Sequence, residues 1–370
     1  MVSPAILDNG STTRLSLPSA RVAWVDIARG LGIMAVVIGH TEAPGVGYLY
    51  FFHMPLFFIL SGFLAKPAGD WAGYRAKVAK SAQRLLLPYL SFLLIITLIR
   101  YGVLHETHPA WYRHDLRTLF FGGAALVGCY GPFWFITCLF VTQLLFELLH
   151  VLVKPRNAIL AVVVAAYLLA HLETAIPWFT GRVCPWSMDT ALLALAYYSF
   201  GYYAKPLLNR EWMPKVSVPL TLAVALIALM LSLAGMLHFW LDMKTRIYHD
   251  IILDLLIPLT LSTAVCYLAA WLSRRQWSAF IANLGVASLT VMYLHMSVNT
   301  WVMGIPALCG PLRSSSSACS FPGCSSIHSS NVSRCCGCCC WVSAIPPPDS
   351  LTGTKMAVKL SIKGIANFKL

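Results

Sequence analysis

The stretch WVDIARGLGIMAVVIGH, from Trp24 to His40, sets three ionisable residues into a run apolar enough to enter a membrane. They are Asp26, Arg29 and His40, and they are the first side chains here that could do chemistry. On a helix, Arg29 and His40 differ by about 16 Å in height and only about 20° in direction. Both lie on one stripe, one near each side of a bilayer core of about 30 Å. Such a stripe is costly in a membrane unless it faces a cavity or partners. An imidazole there is a candidate general acid or base. Its plainer reading is a packed, hydrogen-bonded residue. Asp26 and Arg29 are i,i+3 neighbours whose plainer reading is an anchoring ion pair. Against that, Gly30 and Gly32 follow Arg29 and let something approach the backbone closely.

Other candidates lie further along. His53 is the second residue of FHMPLFFILSGF, and on a neighbouring helix entering from the outside it sits near the level of His40. Two histidines at one depth suggest a polar pocket that opens outward. Ser61-Gly62 interrupts the same bulky helix, a step that equally suits tight packing. Lys77, Lys80 and Arg84 are clustered cations, suited to anionic headgroups or to the phosphates of a soluble donor. Trp134 starts a later apolar run, where an interfacial anchor is the plain reading. Asn283, Ser288, Tyr293 and His295 lie in or beside the last one. The intramembrane acids Glu147, Asp189 and Asp254 are weaker candidates. No HExxH spacing argues for a metal, so none is expected. No P-loop, GxGxxG or GxSxG motif argues for an ATPase, a dinucleotide enzyme or an α/β-hydrolase.

The elements that must hold these residues follow from composition. The 370-residue chain is 58% hydrophobic and 11% charged, against about 25% charged in soluble domains. An all-α polytopic membrane protein of about nine or ten transmembrane helices is expected. Apolar runs predict helices at about 25–42, 48–66, 85–104, 131–153, 157–172, 188–204, 217–237, 251–272 and 280–306. Alternating the loops from an inside N-terminus puts twelve Lys or Arg residues on the inner side and five on the outer. This positive-inside bias predicts a cytoplasmic N-terminus and accounts for the net charge of +13 without nucleic acid. The short 157–172 segment is kept as a span, because a re-entrant loop there would invert every later loop.

Three regions are expected: a cytoplasmic tail over 1–20, a membrane domain over 21–308 and an atypical tail over 309–370. Eight of the twelve cysteines crowd into that last tail, among serines and without helical or strand period. It is read as disordered or foreign to the rest of the chain, since consecutive cysteines cannot easily wrap one tetrahedral ion.

Four motifs in series resemble the integral-membrane acyltransferase 3 family. They are D-x-x-R-G with its later histidine (Asp26, Arg29, Gly30, His40), F-H-M-P-L-F-F-x-x-S-G-F (Phe52 to Phe63), R-L-L-x-P-Y (Arg84 to Tyr89) and S-L-x-x-x-Y-L-H (Ser288 to His295). The set with His53 is similar to bacterial enzymes that O-acylate exopolysaccharides with succinyl or acetyl groups. Ser81 departs from the family, standing where the first of two paired arginines is expected.

The resemblance implies an inner-membrane O-acyltransferase with acyl-CoA as donor substrate and no bound cofactor. The acceptor would be a polysaccharide or a lipid-linked oligosaccharide, with membrane lipid and other polysaccharide-assembly proteins as partners. It implies that Arg29 and His40 are essential, with His53 beside them. Asp26, Ser61, Lys77, Lys80, Arg84, Trp134 and His295 are the expected substrate- or donor-binding residues. A sugar hydroxyl is a poor nucleophile at neutral pH, and a base near pKa 6.5 activates it, which is the role expected of His40. The competing reading is a saccharide exporter, which would call for inverted repeats that the sequence does not display.

Overall fold

A backbone in lipid must satisfy its own polar groups, so apolar runs become helices. In the computed structural model the described residues are 23–41, 45–103, 116–176, 182–208, 213–233, 239–248 and 250–303. Among them there is no strand beyond an isolated bridge between Asp242 and Ile247. They belong to one unit that ends at Gly310. The tails expected over 1–20 and 309–370 lie outside the described residues.

Beside short helical turns at 116–121 and Lys205–Leu208, eleven longer helices carry the architecture among the described residues. They are α1 (Ala23–Gly39), α2 (His53–Phe63), α3 (Trp71–Ser81), α4 (Leu87–Leu98), α5 (Trp134–Leu152) and α6 (Arg156–Ala175). Then come α7 (Met188–Tyr203), α8 (Met213–Leu233), α9 (Leu253–Leu272), α10 (Ala279–Val286) and α11 (Ser288–Met303). Five stretches are long and apolar enough to span: Val46–Phe63, Trp71–Val103, Gly128–Leu152, Arg156–Ala175 and Leu253–Leu272. Counting α10 with α11 as one bent span makes six. The described residues of all nine expected segments are mainly helical, though only five or six stretches are long and apolar enough to span, and 157–172 sits inside one of them.

Two local features differ from the sequence expectation. The inner loop expected over 67–84 is largely helix α3. Its start is fixed by Asp70, whose Oδ1 accepts the Gly73 N–H at 2.7 Å. This helix is polar and presents no fully buried residue, so hydropathy alone does not reveal it. It runs on through a π-type turn, Ala82–Leu86, into α4. Pro88 has no N–H to offer the Arg84 carbonyl, which explains why the ladder widens there. The second difference is the single helix expected over 280–306. It breaks at Ala287 and bends by 71° between α10 and α11.

Within lipid, helices associate by close packing rather than by escape from water. Two glycine pairs provide that packing. A Cβ at Gly30 would lie 2.1 Å from the Ile281 carbonyl oxygen, and one at Gly285 would lie 1.7 Å from the Asp26 carbonyl oxygen. Gly30 and Gly285 thus let α1 and α10 meet backbone to backbone. Gly62 and Gly201 do the same for α2 and α7, with Cβ positions 1.9 Å from the Tyr198 oxygen and 2.0 Å from the Ile59 oxygen. Ten of the eleven residues of α2 are buried, so this helix forms the centre of the bundle. The bend at Ala287 lays α10 along α1 and frees α11 to carry His295 toward the far end of α1.

Candidate active site

Two polar regions lie along α1, one at each end. At the Arg29 end is a cavity of about 470 Å³ lined by Arg29, Ser61, Lys77, Lys80 and Arg84. Each cation reaches it for a local reason. Arg29 projects from α1, steadied by Asp26 at 3.8 Å. Ser61 precedes the glycine that seats α2 on α7. Lys77 and Lys80 stand on one face of α3, and Arg84 lies in the π-type turn. Lys77 is neutralised by Glu147 of α5 at 3.2 Å, and the other oxygen of Glu147 accepts the Ala68 N–H at 2.7 Å. The Ser81 hydroxyl donates to Gln143 at 2.9 Å. Lys80 and Arg84 have no ion-pair partner among the described residues. The cavity is therefore a net cationic recess, suited to phosphate groups.

At the other end of α1, His40 and His295 face each other with ring centroids 5.1 Å apart. His53 is buried at the first residue of α2, 4.9 Å from the Tyr50 ring. Tyr50 lies 6.2 Å from His40 and donates its hydroxyl to the Gly39 carbonyl at 3.3 Å. Nδ1 of His53 meets the Leu49 carbonyl at 2.5 Å. Nδ1 of His295 meets the carbonyls of Val291 and Met292 at 3.1 and 3.0 Å. A carbonyl only accepts, so both rings carry their proton on Nδ1 and leave Nε2 as a lone pair. Nε2 of His295 is buried and has no hydrogen-bond partner among the described residues. A buried polar atom without a partner is expensive, and a base waiting for a substrate proton is a reason to keep one.

The two regions approach each other inside the bundle. Phe57 and Met292 both line the cationic cavity. Phe57 is one helical turn from His53, and Met292 is one turn from His295. These two lining residues thus lie within about 6 Å of helix rise of the histidines. Arg29 lines one cavity with Ser61, Lys77, Lys80 and Arg84, while His295, grouped by sequence with the binding residues, meets His40 at the other end of α1; the expected catalytic set of Arg29, His40 and His53 is thus divided between the two regions. Asp26 touches Arg29 and does not line the cavity. Trp134 is buried at the start of α5 against Phe135 and is also absent from the lining.

Sequence reasoning did not single out Tyr50, Trp240 or Lys244. Trp240 stacks on Tyr50 at 5.8 Å, in a loop between α8 and α9. Lys244 comes from the same loop and is close enough to His40 to act on it electrostatically. Nothing local marks these residues, because they reach the histidines through tertiary folding. A further group, Glu173, Cys184 and Asp189, has donor atoms within 4.8 Å of one another. The Arg246 guanidinium lies 3.0 Å from Asp189 and 3.6 Å from Glu173, so a side-chain cation already balances that group.

The class these features define is an all-helical membrane protein that pairs a cationic recess with a cluster of histidines. The chain belongs to the acyltransferase 3 family, whose acyltransferase domain matches residues 22–305. It is similar to the nodulation protein NolL of Mesorhizobium japonicum, with 30% identity over 163 residues. That match covers 39% of this chain and 42% of NolL, less than half the length of either. No solved structure matches the chain.

Proposed function

We propose that this protein is an O-acyltransferase of the bacterial inner membrane. It transfers an acyl group, succinyl or acetyl, from acyl-CoA to a hydroxyl of an exopolysaccharide or its lipid-linked precursor. The observation that carries this reading is the cationic cavity, two of whose lining residues, Phe57 and Met292, lie one helical turn from His53 and His295. With the N-terminus inside, that cavity faces the cytoplasm, where acyl-CoA is found, and the histidines face the acceptor.

Each residue has a role set by its position. Lys80 and Arg84 have charge to spare for the phosphates of CoA, and Lys77 adds to the field while being held by Glu147. Arg29 lies about 16 Å below His40 along α1, which suits it to grip the donor and not the reacting carbonyl. The thioester end reaches past Phe57 and Met292 to the histidines. The acceptor hydroxyl then attacks the thioester carbonyl, its proton passes to an imidazole Nε2, and the C–S bond breaks to release CoA thiolate. A positioned base typically contributes about 10²–10⁴-fold. His295, expected to bind substrate, has the free buried Nε2 of a base, and it shares that work with His40.

The test uses membranes bearing the full chain, labelled acyl-CoA and purified polysaccharide acceptor. His40→Ala and His295→Gln should each insert normally and lose label transfer by about 10²-fold or more. Wild-type transfer by both variants would remove the histidines from the reaction.

A further inference from the structure

The loop over residues 239–248 lies between α8 and α9, outside the spanning helices. It is pinned at both ends of a tight turn. Asp242 and Ile247 exchange backbone hydrogen bonds at 2.9 and 3.0 Å. The Asp242 carboxylate caps the turn, accepting the N–H of Lys244 at 2.9 Å and that of Thr245 at 3.4 Å. The turn presents two cations, and their fates differ. Arg246 is committed to Asp189 and Glu173. The Lys244 ammonium has neither a hydrogen bond nor an ion pair among the described residues.

Its position is nonetheless defined. Nζ lies 3.4 Å from where a Cβ of Gly131 would be, so the glycine leaves room for the ammonium against the backbone. It is close enough to His40 to act on it electrostatically. Burial brings its pKa down to about 8, while Asp242 pulls it back up. It is therefore mostly charged at neutral pH, yet has shed much of its water. A half-buried cation held next to the histidines, with the Asp242 carboxylate acting on it from its own turn but not bonded to it, is a ready receptor for one further anionic group.

We propose that Lys244 is a specificity residue that holds a carboxylate of the substrate beside the His40–His295 pair. The inference rests on the acyltransferase reading above. One ammonium matches one carboxylate, which the chemistry can supply from two sources. It is either the distal carboxylate of a dicarboxylic acyl group such as succinyl, or the carboxylate of a uronic acid in the acceptor.

The experiment compares wild type, Lys244→Met and Lys244→Arg in membranes, with succinyl-CoA or acetyl-CoA as donor and a neutral or a uronate-containing glycan as acceptor. The readout is the ratio of kcat/KM between carboxylate-bearing and neutral substrates. In Lys244→Met that ratio should fall about ten-fold or more, the effect of losing one charge-assisted hydrogen bond. Lys244→Arg should recover most of it. A fall along the donor pair assigns the carboxylate to the acyl group, and a fall along the acceptor pair assigns it to the glycan. An equal loss on all four combinations, or no change, overturns the proposal. Titration of succinate and of glucuronate into purified wild type and Lys244→Met reads the same cation without turnover. Neither acid binding more weakly to the variant also overturns it. A wild type that accepts no CoA thioester counts against the acyl-CoA reading instead, and the titration still decides Lys244.

Discussion

Adding one methyl group at residue 285 should disable the enzyme without touching a polar side chain of either region. In Gly285→Ala the new Cβ would lie 1.7 Å from the Asp26 carbonyl oxygen, where even the tightest real contacts are about 3.0 Å. The obstacle is backbone on both sides, so no rotamer relieves it, and α1 and α10 must separate by about 1.3 Å. Overpacking of this kind costs about 1–3 kcal/mol. At about 2–4 °C per kcal/mol, the melting temperature in detergent should fall by about 2–12 °C. The activity effect should be larger. Asp26 holds Arg29, and a misplacement of about 1 Å remote from the chemistry can cost about 10²-fold. The assay is label transfer from acyl-CoA alongside a thermal melt, with Gly69→Ala as control, because a Cβ at Gly69 meets nothing within 4 Å. A Gly285→Ala protein that melts and turns over like Gly69→Ala would refute the helix contact and the argument built on it.

Two further outcomes follow from the charges. Arg84→Met removes a cavity cation with no ion-pair partner among the described residues, so it should raise KM for acyl-CoA about ten-fold or more and leave KM for the acceptor largely unaltered. Free CoA should lose potency as an inhibitor in parallel. The second outcome is a pH dependence. Lys244 has its pKa lowered to about 8, with Asp242 beside it and His40 facing it. Its charge is present below that value and lost above it. KM for a carboxylate-bearing substrate should therefore rise between pH 7 and pH 9 in wild type, while Lys244→Arg, charged throughout, should show a flat profile over the same range.

What the sequence discloses depends on whether the signal is local. Nine apolar runs were readable as helices because lipid leaves the backbone no other choice. The cationic cavity was nearly as readable: Arg29 and Ser61 lie on apolar helices, and Lys77, Lys80 and Arg84 follow within one short segment. Helix α3 escaped because its faces are polar, and the break at Ala287 escaped because an apolar run hides a bend. The histidines were legible as residues, but not their arrangement. The proton on Nδ1 of His295 and its vacant Nε2 are set by carbonyls one turn away and by packing from α1. Lys244 was counted only as a loop charge, since nothing in its own neighbourhood points to His40. Trp134 illustrates a position that sequence leaves open: at a helix start it reads equally as an anchor or a binding residue, and folding buries it beside Phe135.

The meeting of His40 with His295 also has a meaning in time. It joins the first described helix to the last. Chains are made from the N-terminus at about 5–20 residues per second, so α1 must wait in the bilayer while every intervening helix is delivered. Throughout that wait the His40–His295 contact does not exist. On the reading proposed above, a ribosome that stops before Ser288 leaves a set of helices without the second imidazole of the centre, so acyl transfer would begin only once the last described helix is in place.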